Sequence, residues 1–352
     1  MELIKLLTHR LPRRAKLSSI AIPRSQITIG VPVFNGSDTV LNAVETALSQ
    51  SGVDHRVLVS DNGSTDGTAS LILDKFGERP RLHVVRHPTN QGATWNYNWL
   101  LHAANSEYFM WLAADDQLLP HYASRCIQKL VDEPGTSLAF GRVEMTRNAN
   151  EAPFIIYEAS RAYAGRPLRV FCDVYRGFPD VYMYGVMRTH MARVAGGLPN
   201  TPAADIAFIR RLSLQGSFVN VPDASYRYFT GVEWKDGDRI VSDEGPREIE
   251  ARANTFRGRR SAILMLDAMK AVDQASVSQW ERVIMWIIVI ISEVERVLRR
   301  IAIDFLGRTL PASLRVQTAR SIHDRWLAKE RPRVQSAGTY LSRVVLPALR
   351  WR

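Results

Sequence analysis

Residues 56–68 read RVLVSDNGSTDGT, and this stretch decides the fold. The segment 56–60, with its apolar centre at 57–59, predicts a buried strand. The polar run that follows predicts a tight turn, because its glycines permit positive φ angles and its Asp, Asn and Ser side chains can bond to nearby backbone groups. A buried strand that ends in such a turn before a helix is typical of α/β proteins. The stretch therefore predicts an α/β fold with polar side chains at the carboxyl end of a strand.

The same kind of unit recurs on either side of this stretch. Strands are predicted over 27–34, 82–86 and 108–112, and helices over 39–50 and 93–104. Strands that alternate with helices at this spacing predict a mostly parallel sheet covered on both faces. In such sheets ligands bind beyond the carboxyl ends of the strands. The polar residues expected to converge there are Asn35, Asp61, Asn62, His87, Asn90, Asp115 and Asp116.

Farther along the chain the pattern becomes less regular. A strand over 138–146, a helix over 205–215 and a strand over 218–221 are predicted. Beyond Glu244 the sequence changes to helices with Arg-rich faces. We therefore divide the chain into an N-terminal arm over 1–25, an α/β domain over 26–245 and a helical basic extension over 246–352.

The net charge of +11 over 352 residues is unevenly distributed. From Ala251 onward there are 19 basic and 8 acidic residues, whereas the preceding part holds 27 of each. The basic tail is therefore expected to face an anionic partner, which is a phospholipid surface, an anionic acceptor or nucleic acid. Charge alone does not choose among these three.

Cysteine usage and hydropathy indicate the compartment. Cys126 and Cys172 each lie in an apolar segment, so neither a disulfide framework nor a Cys-based metal site is predicted. The basic N-terminus lacks the apolar run of a secretory signal. The longest uncharged apolar stretch, residues 283–292, is shorter than the roughly 18 residues that span a bilayer. We expect a cytoplasmic protein without a transmembrane helix, located at the inner face of the membrane if its tail binds lipid.

Four motifs follow the four predicted strands in chain order. They are Pro32-Val33-Phe34-Asn35, the turn over 61–67, Asn90-Gln91-Gly92 and the run WLAADD over 111–116. Together they resemble the family 2 glycosyltransferases of the GT-A fold, over about residues 26–232. The resemblance implies a Rossmann-like sheet with helices on both faces. It also implies inverting transfer of a sugar from a nucleotide-sugar, assisted by Mn²⁺ or Mg²⁺.

The resemblance implies donor-binding roles for the residues at the strand ends. Phe34 offers a flat apolar surface to a base, and Asp61 offers an acceptor to a pyrimidine imide. Asp66 is interpreted as structural, because it can cap the helix that follows the turn. The residues implied to line the nucleotide-sugar site are Pro32, Phe34, Asn35, Asp61, Asn90, Gly92 and Asp115.

The acidic pair Asp115-Asp116 is the expected metal site. A carboxylate-bound divalent cation can neutralise the charge of a leaving nucleoside diphosphate. Family members often carry Asp-x-Asp-Asp here, and Ala113 replaces the first Asp in this chain. The alternative for Asp116 is a helix cap. Phe229 stands where many relatives carry a His near the metal, so that contact is replaced by an apolar side chain.

Asp205 is the expected catalytic base. It lies in a segment that resembles the family's second signature, in which an acidic pair opens a helix, and Ala204 replaces the first acid. A carboxylate at this place would take the acceptor's proton during inversion. The alternative is a charge that only stabilises the helix N-terminus. Tyr184 and Arg227 are assigned to the acceptor side, with core packing and a structural ion pair as their alternatives.

An amphipathic helix is predicted near residues 280–301. Its apolar residues recur at alternating spacings of three and four, and four arginines lie around them. It would lie in a membrane interface, form a coiled-coil contact between two subunits of a homodimer, or pack on the body. The apolar residues are Trp280, Val283, Ile287, Ile290, Val294, Val297 and Ile301, and the arginines are Arg282, Arg296, Arg299 and Arg300.

These observations favour a glycosyltransferase of cell-envelope polysaccharide biosynthesis. It would move a sugar from a nucleotide-sugar, in the first instance a UDP-sugar, to a hydroxyl of a glycan or lipid-linked saccharide. One alternative is a non-catalytic nucleotide-sugar-binding or assembly protein, since Ala113, Ala204 and Phe229 depart from the family pattern. A nucleotidyltransferase is disfavoured because residues 31–35 lack a Gly- and Arg/Lys-rich phosphate loop. Nucleic acid is disfavoured as a partner, because the tail's aromatic residues follow an amphipathic period and not the arrangement of a base-stacking platform.

Overall fold

The computed structural model describes residues 26–146, 153, 155–157, 163–177, 180–201, 203–229 and 260–309. The predicted arm over 1–25, the boundary at 245–246 and the end of the basic tail lie outside the described residues. The strands are β1 (Ile27–Val33), β2 (His55–Asp61), β3 (Leu82–Arg86), β4 (Tyr108–Trp111), β5 (Gln117–Leu118), β6 (Thr136–Thr146), β7 (Ile155–Tyr157), β8 (Val186–Arg188) and β9 (Ser217–Phe229). The helices are α1 (Val40–Leu48), α2 (Thr68–Phe76), α3 (Ala93–Ala103), α4 (Tyr122–Asp132), α5 (Pro167–Gly177), α6 (Thr189–Val194), α7 (Ala204–Leu212), α8 (Arg260–Gln274) and α9 (Gln279–Thr309), with a 3₁₀ turn over Asp180–Tyr184.

The strands form one mixed sheet. Its order is β3-β2-β1-β4-β8-β6-β9-β5, and β7 pairs with β6. The first four strands in this order are parallel, as the sequence predicts. Strand β8 then runs antiparallel to both β4 and β6, whereas β6 and β9 are parallel to each other. The α/β prediction is therefore confirmed, and the expectation of a mostly parallel sheet holds for the N-terminal half only.

Burial explains why the N-terminal strands are so easy to recognise. Every residue of β1, β2 and β4 is buried. Strands covered by helices on both faces read as continuous apolar runs, because neither face meets water. Strand β9 is different, since buried and exposed positions are interspersed along it. Its pattern predicted only the short segment over 218–221.

The register aligns the strand ends that carry the candidate site. Val33 lies opposite Asp61, and Asp61 lies opposite Arg86. Gly30 lies opposite Trp111, the last residue of β4. Because these four strands are parallel, the loops that follow them leave from one edge of the sheet. Polar side chains that are far apart in the sequence therefore meet at this edge.

The C-terminal helices α8 and α9 pack on the body through a second apolar cluster. This cluster joins them to α5 and to the residues after α7. One face of the predicted amphipathic helix, α9, therefore packs on the body, which is one of the three roles considered for it. Among the described residues, no helix combines the length and the apolar character needed to cross a membrane. The buried members of the cluster are Phe171, Tyr175, Leu214, Ala268, Val272, Ala275, Met285 and Val289.

A buried ionic cluster reinforces this contact. Glu293 of α9 is only 3% exposed, and its Oε1 accepts a hydrogen bond from the Tyr175 hydroxyl at 2.9 Å. The same oxygen lies 3.5 Å from Nη1 of Arg210, which is on α7, and it is also paired with Arg296. Buried charges are stable only when they are paired. The cluster therefore fixes α9 against the helix that begins at Ala204.

Candidate active site

Asp61 lies at the carboxyl end of β2 with an unused acceptor. Its side chain is fully buried. The Ser64 backbone N–H donates to Oδ1 at 2.9 Å, whereas Oδ2 has no hydrogen-bond partner. The nearest cation is Arg86, whose Nε lies 3.9 Å from Oδ2. A buried carboxylate oxygen without a donor is costly, so this oxygen is suited to receive a hydrogen bond from a ligand.

Asn35 holds the loop after β1 against the turn after β2. Its φ angle of 49° is left-handed, a conformation that Asn tolerates better than most residues. Its backbone N–H donates to the Ser64 hydroxyl at 2.9 Å, and its side-chain oxygen accepts from the Thr65 N–H at 2.9 Å. The sequence assigned Asn35 to ligand binding. The structure shows that its side chain also fixes the turn that carries Asp61.

Asp66 has the structural role that the sequence predicts. Its Oδ1 accepts from the Thr68 N–H and hydroxyl, and its Oδ2 accepts from the Ser37 N–H at 3.0 Å. Although burial opposes the shift, these hydrogen bonds from Thr68 and Ser37 lower the pKa of Asp66 to about 2. The carboxylate therefore joins the loop after β1 to the start of α2.

Asn62 joins the turn after β2 to the loop after β3. Its Nδ2 donates to the Asn90 side-chain oxygen at 2.8 Å, and its Oδ1 accepts from the Gln91 N–H at 3.0 Å. The Asn90 oxygen also accepts from the Gly92 N–H. Gly63, in the same turn, has φ 79°, and a Cβ there would lie 2.8 Å from the Thr89 backbone. Asn90 and Gly92, predicted as ligand contacts, thus belong to the rim of the same crevice.

His87 supports this rim from behind. Its ring lies edge-on to Trp95 and Trp99, with 4.8 Å between centroids in each case. Its Nε2 is 2.8 Å from the Ser60 hydroxyl, which in turn donates to Asn96. Burial lowers the pKa of His87, against the opposing influence of Asp61. The ring is therefore neutral near pH 7 and serves as a packing element.

Pro32 and Phe34 lie on either side of the end of β1. Pro32 is buried and paired with β2, two residues beyond Gly30, the last residue of β1 that pairs with β4. A missing backbone N–H is tolerated there because that ladder has ended. Phe34 is half-buried at the mouth of the crevice. Part of its side chain is therefore accessible to a ligand.

The two carboxylates after β4 have different environments. Asp116 is 1% exposed, and both of its oxygens are occupied: Oδ2 accepts from the Tyr226 hydroxyl at 2.6 Å, and Oδ1 from the Phe229 N–H at 2.8 Å. Burial and the neighbouring Asp115 raise the pKa of Asp116 well above its usual range. Asp115 is exposed on its outer side, although partial burial raises its pKa.

This difference changes the interpretation of Asp116. The sequence assigned it to the metal site, or alternatively to a helix cap. The structure instead uses it to tie the loop after β4 to strand β9, and the contact with the Phe229 N–H places residue 229 beside the acidic pair. Each of the two oxygens of Asp116 already accepts one hydrogen bond from the protein, so Asp116 is less available to a metal ion than Asp115. Asp115 remains as the exposed carboxylate of the pair.

Tyrosines form the floor behind this acidic pair. The Tyr184 ring is stacked on Tyr226, with 5.4 Å between centroids, and its hydroxyl is 3.4 Å from that of Tyr97. Burial raises the pKa of Tyr97 to about 12. Tyr184 thus packs against Tyr226, the partner of Asp116, which is the packing role given as the alternative to acceptor binding. Sequence analysis missed Tyr226 and Tyr97, although the alternation in YRYF over 226–229 would have placed Tyr226 and Tyr228 on one face.

Arg227 is directed away from the acidic pair. Successive residues of a strand point to opposite faces, so Arg227 lies on the other face from Tyr226. Its Nη2 is 3.6 Å from Glu144 Oε2 on β6. This geometry favours the structural ion pair over a contact with acceptor or diphosphate.

Asp205 opens α7, and packing places this helix next to β4. Phe208, one turn farther along, contacts Trp111 edge-on with 5.2 Å between centroids. Residues three apart in a helix share a face, so Asp205 and Phe208 are directed to the same side. Asp205 is half-buried, and its Oδ1 accepts from the Ile206 N–H at 2.8 Å. The loop before α7 is tied to α3, since Asn98 exchanges two hydrogen bonds with the Leu198 backbone.

The donor set for a metal is small. Within the ranges that the structure describes, no group of three or more His, Cys, Asp or Glu side chains lies close enough together to hold a metal ion. Mg²⁺ is commonly bound by one or two carboxylates together with substrate phosphates and water. Asp115, on the exposed rim, fits such a site, whereas a cage made by the protein alone is excluded for these residues.

Known proteins show the same combination of elements. Residues 28–178 match the family described as Glycosyl transferase family 2. The chondroitin synthase of Pasteurella multocida (strain Pm70) is 28% identical over 127 residues, which cover 36% of this chain and 12% of that protein. The succinoglycan biosynthesis protein ExoO of Rhizobium meliloti (strain 1021) is 29% identical over 119 residues, which cover 34% and 33% of the two chains. The chain thus spans a third or less of the length of these two relatives.

A solved structure supports the fold over a longer stretch. Residues 1–349 of S. aureus TarS, crystallised with UDP-GlcNAc, superpose with a TM-score of 0.57 at 15% identity. The alignment covers 88% of this chain and 82% of that one. At this identity the likeness concerns the fold, and it confirms the GT-A architecture. The match over residues 28–178 identifies a glycosyl transferase family 2 domain within this chain.

Proposed function

We propose that this chain is a glycosyltransferase that takes a sugar from a UDP-sugar and passes it to a hydroxyl of a glycan or lipid-linked saccharide. One observation carries the proposal: the crevice beyond β1, β2 and β4 contains a buried carboxylate, Asp61, with one oxygen free of any donor. Two relatives, a chondroitin synthase and a succinoglycan biosynthesis protein, support a polysaccharide acceptor.

The environment of Asp61 favours uracil over the other bases. A carboxylate only accepts hydrogen bonds. Uracil presents one donor, its N3–H, between two carbonyl oxygens, which matches one free acceptor oxygen. Guanine presents two adjacent donors, and the second oxygen of Asp61 is already used by Ser64. Cytosine and adenine present a ring nitrogen acceptor on the same edge, which a carboxylate repels.

Phe34 and Asp115 complete the proposed donor site. Phe34 would stack on the base from the end of β1, and the loops braced by Asn35 and Asn62 would hold the ribose and diphosphate. A divalent cation held by Asp115 and the diphosphate would neutralise negative charge on the leaving group. Asp116 keeps the Asp115 loop in place through Tyr226 and the Phe229 backbone.

The transfer itself requires one proton acceptor. The acceptor hydroxyl gives its proton to Asp205, and its oxygen forms a bond to the anomeric carbon of the sugar. The bond between that carbon and the diphosphate oxygen breaks, and the electron pair leaves with the diphosphate. Attack from the side opposite the leaving group inverts the anomeric configuration. The position of α7 against Trp111 supports this role for Asp205.

Calorimetric titration with UDP, dTDP, CDP and GDP, each with and without Mn²⁺, tests the donor assignment. We expect binding of UDP, strengthened by Mn²⁺ in the wild-type chain. dTDP carries the same imide and should be weaker only if the ribose 2′-hydroxyl is also recognised. Preferential binding of GDP or CDP would contradict the role given to Asp61.

The non-catalytic alternative is distinguished by Asp205→Asn. A transferase should lose hydrolysis and transfer of a UDP-sugar by about 10²-fold or more in this variant, while nucleotide affinity is unchanged. A wild-type chain that binds UDP and turns over no donor would instead support a binding or assembly protein. Thr201 lies outside α7, so Thr201→Ser is a conservative control near the same loop.

A further inference from the structure

Helix α9 exposes an apolar face that the body does not cover. Met285 and Val289 are fully buried against the body, whereas the opposite side of the same helix is open. We call this open side the α9 stripe. Its members and their exposed fractions are Trp280 80%, Val283 41%, Ile284 42%, Ile287 49%, Ile290 43%, Ile291 60%, Val294 51%, Val297 43% and Leu298 60%.

The spacing of the α9 stripe is that of a helix–helix seam. From Val283 to Val297 the central apolar residues are separated alternately by four and three positions, and every one of them is β-branched. This spacing is the heptad pattern in which one helix packs along another. A second row, Ile284, Ile291 and Leu298, recurs every seven residues beside it. The two rows together give the wider apolar face that helices use in bundles.

Charge argues against a lipid surface as the occupant. Residues 279–298 contain two arginines, no lysine and three glutamates. Arg296 is directed inward to Glu293 and to the Tyr175 carbonyl, and Arg282 donates to the Ala275 carbonyl. Anionic lipid is attracted by clustered basic side chains at the surface. Both arginines within residues 279–298 are thus directed into the body, and no basic row flanks the α9 stripe over these residues.

The exposed area is sufficient for a stable protein interface. The exposed fractions of the nine side chains amount to on the order of 800 Å², which is about what one partner contributes to a standard interface. Contiguous apolar patches larger than about 300–600 Å² are rare on monomeric proteins. We infer that the α9 stripe is the self-association surface of this protein, where it packs against the same stripe of a second copy of the chain.

Self-packing of one stripe satisfies the symmetry of a homodimer. In a twofold contact the same patch serves both partners, so an apolar stripe without charges is its own complement. The buried cluster of Glu293, Arg210 and Tyr175 joins this helix rigidly to α7. Two copies would therefore hold their α7 helices, and with them the two crevices, at a fixed separation.

Sedimentation of the full-length chain over a range of concentrations tests this inference. Val294→Glu is the informative variant, because it places a carboxylate in the middle of the α9 stripe. Val131→Glu on α4 is the matched control, since Val131 is 52% exposed and Val294 is 51% exposed. Circular dichroism should show the same helix content in both variants, because neither side chain is buried.

We expect the wild-type chain and Val131→Glu to sediment as assemblies of two or more copies. Val294→Glu should weaken the association by about a hundredfold or more, because both partners would bring a carboxylate into the apolar seam. A wild-type chain that is monomeric at about 100 µM would overturn the inference. Vesicles of phosphatidylcholine and phosphatidylglycerol that bind such a monomer, but not Val294→Glu, would assign the stripe to lipid. Assemblies that Val294→Glu leaves intact would also overturn it, since another surface would then be responsible.

Discussion

Asp61 and Asp116 follow parallel strands of the same sheet, and both are buried, but their hydrogen bonding differs. Asp61 has one oxygen held by Ser64 and one without a donor. Asp116 has both oxygens occupied, by Tyr226 and by the Phe229 backbone. The same signature, an acid at the end of a buried strand, therefore leaves one acceptor oxygen open in one loop and supports the fold in the other. The difference comes from strand β9, which reaches one loop only.

The largest effect is expected for Asp116→Ala. The Tyr226 hydroxyl and the Phe229 N–H would both lose their acceptor in a buried place, so the free energy of unfolding should fall by about 3 kcal/mol. Asp116→Asn is the isosteric control and should cost less than about 1 kcal/mol, because an amide can bond to both groups. Denaturant titration measures both variants. A stable Asp116→Ala would show that this carboxylate does not support the loop.

A somewhat smaller effect is expected for Asp61→Ala, and it concerns affinity. Loss of a hydrogen bond to a charged acceptor costs about 2 kcal/mol, which corresponds to roughly thirtyfold weaker binding of UDP. Stability should change little, because one oxygen of Asp61 accepts no hydrogen bond in the free protein. Calorimetry measures the change in UDP affinity, and thermal melting measures the change in stability. A variant that melts early and still binds UDP would reverse the roles of the two aspartates.

Replacing Asp115 and Asp116 in turn by asparagine distinguishes a metal-binding role from a structural role. Asp115→Asn should weaken the Mn²⁺-dependent part of UDP binding by about tenfold, because an amide is a poorer ligand for a hard cation. Asp116→Asn should leave this part within about twofold of the wild-type value. Titration of UDP with and without Mn²⁺ measures the difference. Equal losses in both variants would mean that both carboxylates coordinate the cation.

The smallest effect is expected for Asp66→Asn and depends on pH. The pKa of Asp66 is lowered to about 2, so its carboxylate stabilises the folded chain above the unfolded pKa near 4 and loses this contribution as pH falls towards 2. Because Asp66 is exposed, the variant should lose less than about 1 kcal/mol at pH 7. Melting temperatures of the two proteins should converge in acid. A constant difference from pH 7 to pH 2 would contradict the role of the charge.

The N-terminal half of the fold could be predicted because its buried strands appear in the sequence as continuous apolar runs that end in turn residues. Strand β3 was predicted at its observed bounds, and β1, β2 and β4 within one or two residues. Two long elements were not predicted, namely α4 and α5, which lie in stretches where charged and apolar residues are mixed. The antiparallel position of β8 was also missed. A three-residue strand takes its place from its neighbours β4 and β6, not from its own sequence.

The candidate site was predicted residue by residue, but without the partners of these residues. Asp61 and Asp115 follow strands, so their convergence on a crevice could be inferred from the fold class. The two hydrogen bonds of Asp116 could not be inferred in this way, because their donors come from residues 226 and 229, more than a hundred positions away. The assignment of Arg227 to the acceptor side was also made without knowledge of its partner, Glu144 on β6. Its direction depends on strand alternation in β9, most of which had not been predicted.

The sequence by itself determined the α/β class, the positions of the first four strands along the chain and the identity of the acids at the strand ends. These properties depend on local hydrophobic periodicity and turn chemistry. Only the tertiary structure decided which acid keeps an open oxygen, where α7 brings Asp205, and which face of α9 stays exposed. Those properties depend on contacts between residues far apart in the chain. A pattern along one segment contains no information about the donor, ring or helix that folding places beside it.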